Sequence, residues 1–86
     1  MQIEFLNSFL DDIDNLSAQE RERVRRAIQR LGDDWRHPSL GVKRMRGKED
    51  IWEARATLRL RITFRLAGDK IILRNVGAHD KTLKDA

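Results

Sequence analysis

From Trp52 to Leu66 the chain reads WEARATLRLRITFRL, and apolar and polar residues alternate without a break. Trp52, Ala54, Ala56, Leu58, Leu60, Ile62, Phe64 and Leu66 are apolar, while Glu53, Arg55, Thr57, Arg59, Arg61, Thr63 and Arg65 are polar. A period of two is the mark of a strand that buries one face. A single strand of this length would run to about 50 Å at roughly 3.3 Å per residue, too long for one small domain. The stretch therefore predicts a hairpin turning near Thr57 to Leu60. The alternation keeps its phase through the turn, so regular pairing requires an odd loop length; a two-residue loop would invert the faces. Glu53 and Arg55 on one arm should then share a face with Arg61, Thr63 and Arg65 on the other.

The rest of the chain supplies partners for that hairpin. QIEFL alternates and predicts a short first strand, with Ile3 and Phe5 on one side. NSFLDDIDNL predicts a helix with Asn7 or Ser8 as N-cap, acids in its first turn, and an apolar stripe of Phe9, Leu10, Ile13 and Leu16. In SAQERERVRRAIQRLGDDW, Ser17 and Glu20 have capping-box spacing and Val24, Ala27, Ile28 and Leu31 recur at helical spacing. Gly32 is read as the stop. Pro38 in HPSLG breaks the pattern, VKRMRG predicts a second strand, and KIILRNVG, entered through Gly68 and Asp69, predicts the last. The order β-α-α-β-β-β-β gives an α+β fold: an N-terminal strand and a helical hairpin on one face of a mostly antiparallel sheet, the other face left open. Residues 1–86 read as a single domain, with Trp35 and Trp52 closing the ends of its core.

Composition narrows the class. There is no cysteine, which excludes a disulfide framework or thiolate zinc site and suits a reducing cytoplasm. No apolar run reaches the ~20 residues of a membrane span, and the acidic start MQIEFLNSFLDDID is unlike a signal peptide. A cytoplasmic protein with no membrane association is expected. The net charge of +4 conceals a segregation: residues 1–35 sum to −3, residues 36–65 to +6 and the last 21 to +1. A positive middle points to an anionic partner, nucleic acid or acidic protein.

The candidate chemistry lies in that positive segment. Arginine forks bond two phosphate oxygens and stay charged at any working pH, which suits Arg55 and Arg61 to a phosphate. Glu53 is the only carboxylate on this face of the hairpin, and a salt bridge to Arg55 or Arg61 is the simplest reading of it. His79, just past the last strand, titrates near neutrality and can move a proton; Arg44 or Arg46 from the second strand completes the cluster. His37, ahead of Pro38, is read as a loop residue. The two histidines are far apart and no thiol is present, so neither a metal nor another cofactor is expected.

Taken in order, the first strand, a helical hairpin ending in AIQRL, then HPSLGVKRMRG, IWEARATLRLRITF and IILRNVGAHD resemble the RelE/ParE toxin superfamily of bacterial type II toxin–antitoxin systems, nearest the RelE-type mRNA-cleaving branch. The resemblance spans nearly the whole chain and implies the fold derived above. It also implies a metal-independent endoribonuclease that cuts mRNA, commonly on the ribosome, by attack of a ribose 2′-hydroxyl on the adjacent phosphate. Carried over by position, Arg61 matches the arginine that contacts the scissile phosphate, and Arg55 a basic position on the preceding strand. Arg46 matches a basic residue before the glycine ending the second strand, and His79 the catalytic position after the last strand. Glu53 stands where some relatives carry a catalytic lysine and others a glutamate base. Lys43, Arg44, Arg46, Arg59 and Arg65 would hold the RNA backbone through salt-sensitive contacts.

The resemblance implies a cognate antitoxin that covers the basic surface with an acidic or amphipathic segment. One departure stands out: active relatives often place a tyrosine near the C-terminus, and this chain has none, with Leu83 in that neighbourhood. Two other readings follow from the same fold, a ParE-like toxin that inhibits DNA gyrase by protein binding and a catalytically weak basic binding module.

Overall fold

The computed structural model describes residues 1–45, 47 and 50–78; the expectations placed on Arg46, His79 and Leu83 fall outside them. Strand β1 (Gln2–Phe5) leads into helices α1 (Asn7–Asp14) and α2 (Ala18–Asp33), and a short 3-10 turn (Pro38–Leu40) precedes strands β2 (Lys43–Arg44), β3 (Trp52–Arg55), β4 (Leu60–Ala67) and β5 (Lys70–Ala78). The five strands form one sheet in the order β1-β5-β4-β3-β2. Only β1 and β5 run parallel, in register from Gln2 opposite Lys70 to Phe5 opposite Leu73; the other pairs are antiparallel. The first and last strands are thus neighbours, and the α1–α2 hairpin is the crossover between β1 and the rest.

The core lies between helices and sheet. Phe9 from α1, Val24 and Leu31 from α2, and Ile62, Phe64, Ile71 and Leu73 from β4 and β5 are wholly buried. The even-numbered face of the hairpin supplies Ala54, Leu60, Ile62 and Phe64 to this core, as the alternation requires. Trp35, Trp52, Ile28, Ile13 and Leu16 are partly buried against it. Leu10, assigned above to the apolar stripe of α1, is instead 48% exposed.

Helix starts and stops follow local chemistry unevenly. The capping box at α2 forms, with Ser17 Oγ accepting from the Glu20 amide and Glu20 Oε1 accepting from the Ser17 amide. At α1, by contrast, the N-cap is Leu6 with no side-chain cap, and the first turn holds no acid. Ser8 is inside the helix, where its hydroxyl donates to the Arg74 carbonyl at 2.5 Å. Gly32 does not stop α2 either: the helix continues to Asp33, and the Gly32 carbonyl accepts from the N-terminal ammonium at 2.9 Å.

The β4–β5 hairpin closes through Gly68 and Asp69, with Ala67 opposite Lys70. Gly68 has φ +62°, the left-handed value that the first loop residue of a type II′ turn requires. Further along, Thr63 pairs with Asn75 but Phe64 pairs with Leu73, so Arg74 is an extra residue in β5. This bulge changes which residues of β5 face the core, from Ile71 and Leu73 to Val76. Asp12 of α1 pins it: its Oδ2 accepts from the Val76 amide at 3.0 Å and from Asn75 Nδ2 at 3.2 Å.

Removing that acceptor orphans two partly buried donors at the bulge. Asp12→Ala is expected to lower the unfolding free energy by about 1–3 kcal/mol, read as a fall in urea midpoint at constant slope. Asp11→Ala, on the exposed side of the same helix, should shift it by less than ~0.5 kcal/mol.

Candidate functional site

The opening hairpin folds as its alternation demands. Trp52 pairs with Phe64, Glu53 with Thr63, Ala54 with Ile62 and Arg55 with Arg61, so an odd number of residues separates the arms. Ala56 and Thr57 both donate their amides to the Leu60 carbonyl, and Thr57 Oγ1 accepts from the amides of Arg59 and Leu60, which fixes the turn. Arg59 consequently sits at the exposed hairpin tip, leaving three arginines, Arg55, Arg61 and Arg65, in the strand face.

That face is not open at its centre. Glu53 is 2% exposed and Thr63 wholly buried. Met45 and Ile51, which share the face by alternation, are also buried while standing outside the main core. Arg61 Nε lies 3.5 Å from Glu53 Oε1, and Lys43 Nζ lies 4.0 Å from the same oxygen. A carboxylate so withdrawn from water needs compensating cations, and Arg61, itself with a side chain only 14% exposed, is the nearer one. The Arg61 Nη1 is further occupied by the carbonyls of Thr57 at 2.8 Å, Leu58 at 2.9 Å and Leu60 at 3.3 Å. One guanidinium thus closes the turn on one side and meets the buried carboxylate on another; Nη2 takes no part in these bonds.

Arg55 behaves differently. It is exposed, and its guanidinium passes over Gly41, where an added Cβ would stand 3.7 Å from Cζ and Nη2. Gly41 itself has φ +54° and closes the 3-10 turn. Arg55 and Arg61 are therefore brought together in register, one exposed against Gly41 and one held by internal partners. Arg65 is exposed on the same face, opposite Ile72.

Arg44 does not join them. It pairs with Trp52, and its Cζ lies 5.4 Å from the Trp52 ring centroid, on the sheet face opposite Glu53. There the structure assembles a group that strand alternation did not reveal. Trp35 and Trp52 meet edge to face at 5.3 Å with a 75° interplanar angle, and Arg36 lies 4.6 Å over Trp35. His37 is structural as well as loop: its Nδ1 accepts from the Ser39 amide at 3.1 Å, placing the proton of the neutral ring on Nε2. The usable signal for this group was the WRHP run, a tryptophan with basic residues on both following positions. Among the described residues no three His, Asp or Glu side chains converge in a way that would hold a metal ion, and no helix is long and apolar enough to cross a membrane.

No family model matches the chain, and no curated protein matches it by sequence. Solved structures do match, over nearly the full length. A copper-bound mutant toxin from Helicobacter pylori superposes with a TM-score of 0.79 at 19% identity, over 94% of this chain and 97% of that one. The toxin in a RelB–RelE antitoxin–toxin complex from Methanococcus jannaschii gives 0.75 at 24% identity, over 95% of both chains. YafQ from Escherichia coli gives 0.77 at 14% identity, over 94% and 96%. The chain has the fold of the RelE-like toxins.

Glu53→Gln keeps the shape at position 53 but removes the charge that Arg61 and Lys43 compensate. It is expected to lower the unfolding free energy by about 1–3 kcal/mol, measured by urea denaturation. Lys43→Ala, whose side chain is 66% exposed, should cost less than ~1 kcal/mol.

Proposed function

We propose that the chain is the toxin of a type II toxin–antitoxin pair and a metal-independent endoribonuclease acting on mRNA, with the ribosome as the setting. One observation supports this above the others: Arg55 and Arg61 are paired in register on a cationic sheet face, and Arg61 is pre-set by Glu53 and the turn carbonyls. A guanidinium whose position is fixed before the substrate arrives stabilises developing negative charge without reorganising during the reaction.

In this reading the ribose 2′-oxygen attacks the neighbouring phosphorus and the bond from phosphorus to the 5′ oxygen breaks. The products end in a 2′,3′-cyclic phosphate and a 5′-hydroxyl. Arg61 and Arg55 hold the phosphate oxygens as charge accumulates in the pentavalent state. His79, the residue after the end of β5, gives its proton to the departing 5′ oxygen as imidazolium, and the 2′-hydroxyl proton passes to water. Glu53 serves as the counter-charge that orients Arg61, because a carboxylate 2% exposed and set beneath two cations has no access to a substrate hydroxyl. Lys43, Arg44, Arg46, Arg59 and Arg65 take the flanking phosphates. The partner protein is an antitoxin whose acidic or amphipathic segment covers the cationic surface, as RelB and DinJ stand in complex with the toxins they accompany.

Arg55 makes the clean test, since its side chain is exposed and makes no hydrogen bond to another described residue. Arg55→Gln is expected to reduce cleavage of ribosome-bound mRNA roughly a hundredfold with stability unchanged within ~0.5 kcal/mol. Arg61→Ala should abolish cleavage and also loosen the hairpin. A 2′-deoxy substitution at the cut nucleotide should block the reaction. Full growth arrest by both arginine variants at wild-type protein level would reject the assignment.

A further inference from the structure

Behind the phosphate-binding face, at the β2 edge of the sheet, a cavity of about 310 Å³ opens between the 3-10 turn and β3. We infer that it is a nucleobase subsite, taking one unpaired RNA base beside the phosphate held by Arg55. The inference rests on the ribonuclease reading for its substrate class and adds to it a place where sequence preference can arise.

The walls carry the argument. Both tryptophans of the chain line this one cavity, with Val42, and each is only partly buried. Neither indole N–H donates to a described residue, and neither is among the buried unpaired groups, so both retain a donor at the surface. Arg36 and His37 also line the cavity, Arg44 lies over Trp52 from outside, and no carboxylate is among the lining residues. The volume is at the small end of ligand pockets, matching one planar ring rather than a longer molecule. Aromatic surface interleaved with guanidinium is the combination that holds single-stranded nucleic acid, the rings meeting bases and the cations meeting phosphates.

Gly41 joins this cavity to the proposed catalytic face. It is a lining residue, and the Arg55 guanidinium lies against it. A nucleotide with its phosphate on Arg55 has its base next to the indoles.

The chain has two tryptophans and no tyrosine, so its indole emission reports on this cavity alone. The test titrates the full chain with a short 2′-O-methyl oligoribonucleotide, which lacks the nucleophile, while following emission and, separately, the anisotropy of an end-labelled copy. The base-bearing strand should quench or shift the emission; an abasic strand of equal length should leave it unchanged and bind roughly tenfold or more weakly. Trp52→Leu, with its fold checked by circular dichroism, should weaken binding of the base-bearing strand roughly tenfold. Arg36→Gln, at an exposed position, should weaken it severalfold and reduce the salt slope by about one. Binding seen by anisotropy with unchanged indole emission would overturn the subsite while leaving the ribonuclease reading intact. Emission that responds to polyglutamate and not to RNA would overturn it in favour of a peptide site. Quenching by the base-bearing strand without any cleavage of the 2′-hydroxyl form would uphold the subsite and count against the cleavage assignment.

Discussion

A buried carboxylate on a cationic sheet face is the constraint from which the site takes its form. Glu53 has almost no contact with solvent, and a charge so placed is tolerated only with opposite charge close by. Arg61 supplies it at 3.5 Å and Lys43 at 4.0 Å. Arg61 can do so because the hairpin has an odd loop, which puts residues 53 and 61 on the same face. The same guanidinium then donates to the Thr57 and Leu58 carbonyls of the turn, and adds a third bond to the Leu60 carbonyl that already accepts from the Ala56 and Thr57 amides. Turn, buried charge and fixed cation therefore share one guanidinium, and each supports the others.

A second constraint acts from the helical side. The Asp12 carboxylate and the Ser8 hydroxyl, four residues apart and thus on one face of α1, bond the backbone of β5 around the extra residue Arg74. The bulge lets β5 keep hydrophobic residues toward the core before and after it, although the sequence does not alternate evenly through ILRNVG. It also sets the register by which Gly77 lies opposite Arg61 and Ala78 opposite Leu60.

Much of this was legible in the chain because its signals were periodic. Fifteen residues of unbroken alternation determine both the faces and the loop parity, and the Ser17–Glu20 pair marks a helix start through a contact that depends only on local spacing. The misreadings occur where tertiary contacts override local preference. Ser8 leaves the cap for a carbonyl 66 residues away, and Gly32 stays helical with its carbonyl bonded to the N-terminus. Arg59 follows the alternation in sequence but falls at the turn, and the bulge at Arg74 has no local signature. The site divides the same way. The register of Glu53, Arg55 and Arg61 followed from parity, whereas the meeting of Trp35 with Trp52 brings together residues from separate elements with no common period.

The arginines of the positive segment differ in what they are free to do, and that difference matters more than their number. Arg61 is committed to internal partners and has lost most of its conformational freedom before any ligand arrives. Arg36 and Arg44 rest on indole rings, a contact worth ~0.5–1 kcal/mol at exposed sites, weak enough to exchange for a phosphate. Arg55 and Arg65 are exposed on the strand face. A flexible cation gives up roughly 2 kcal/mol of side-chain entropy when it is immobilised, so a phosphate gripped only by such residues would be held loosely and with little geometric selectivity. Combining one rigid guanidinium with several adaptable ones separates two tasks. In the ribonuclease reading proposed above, the fixed group sets where charge is stabilised and the exposed ones meet the polyanion first.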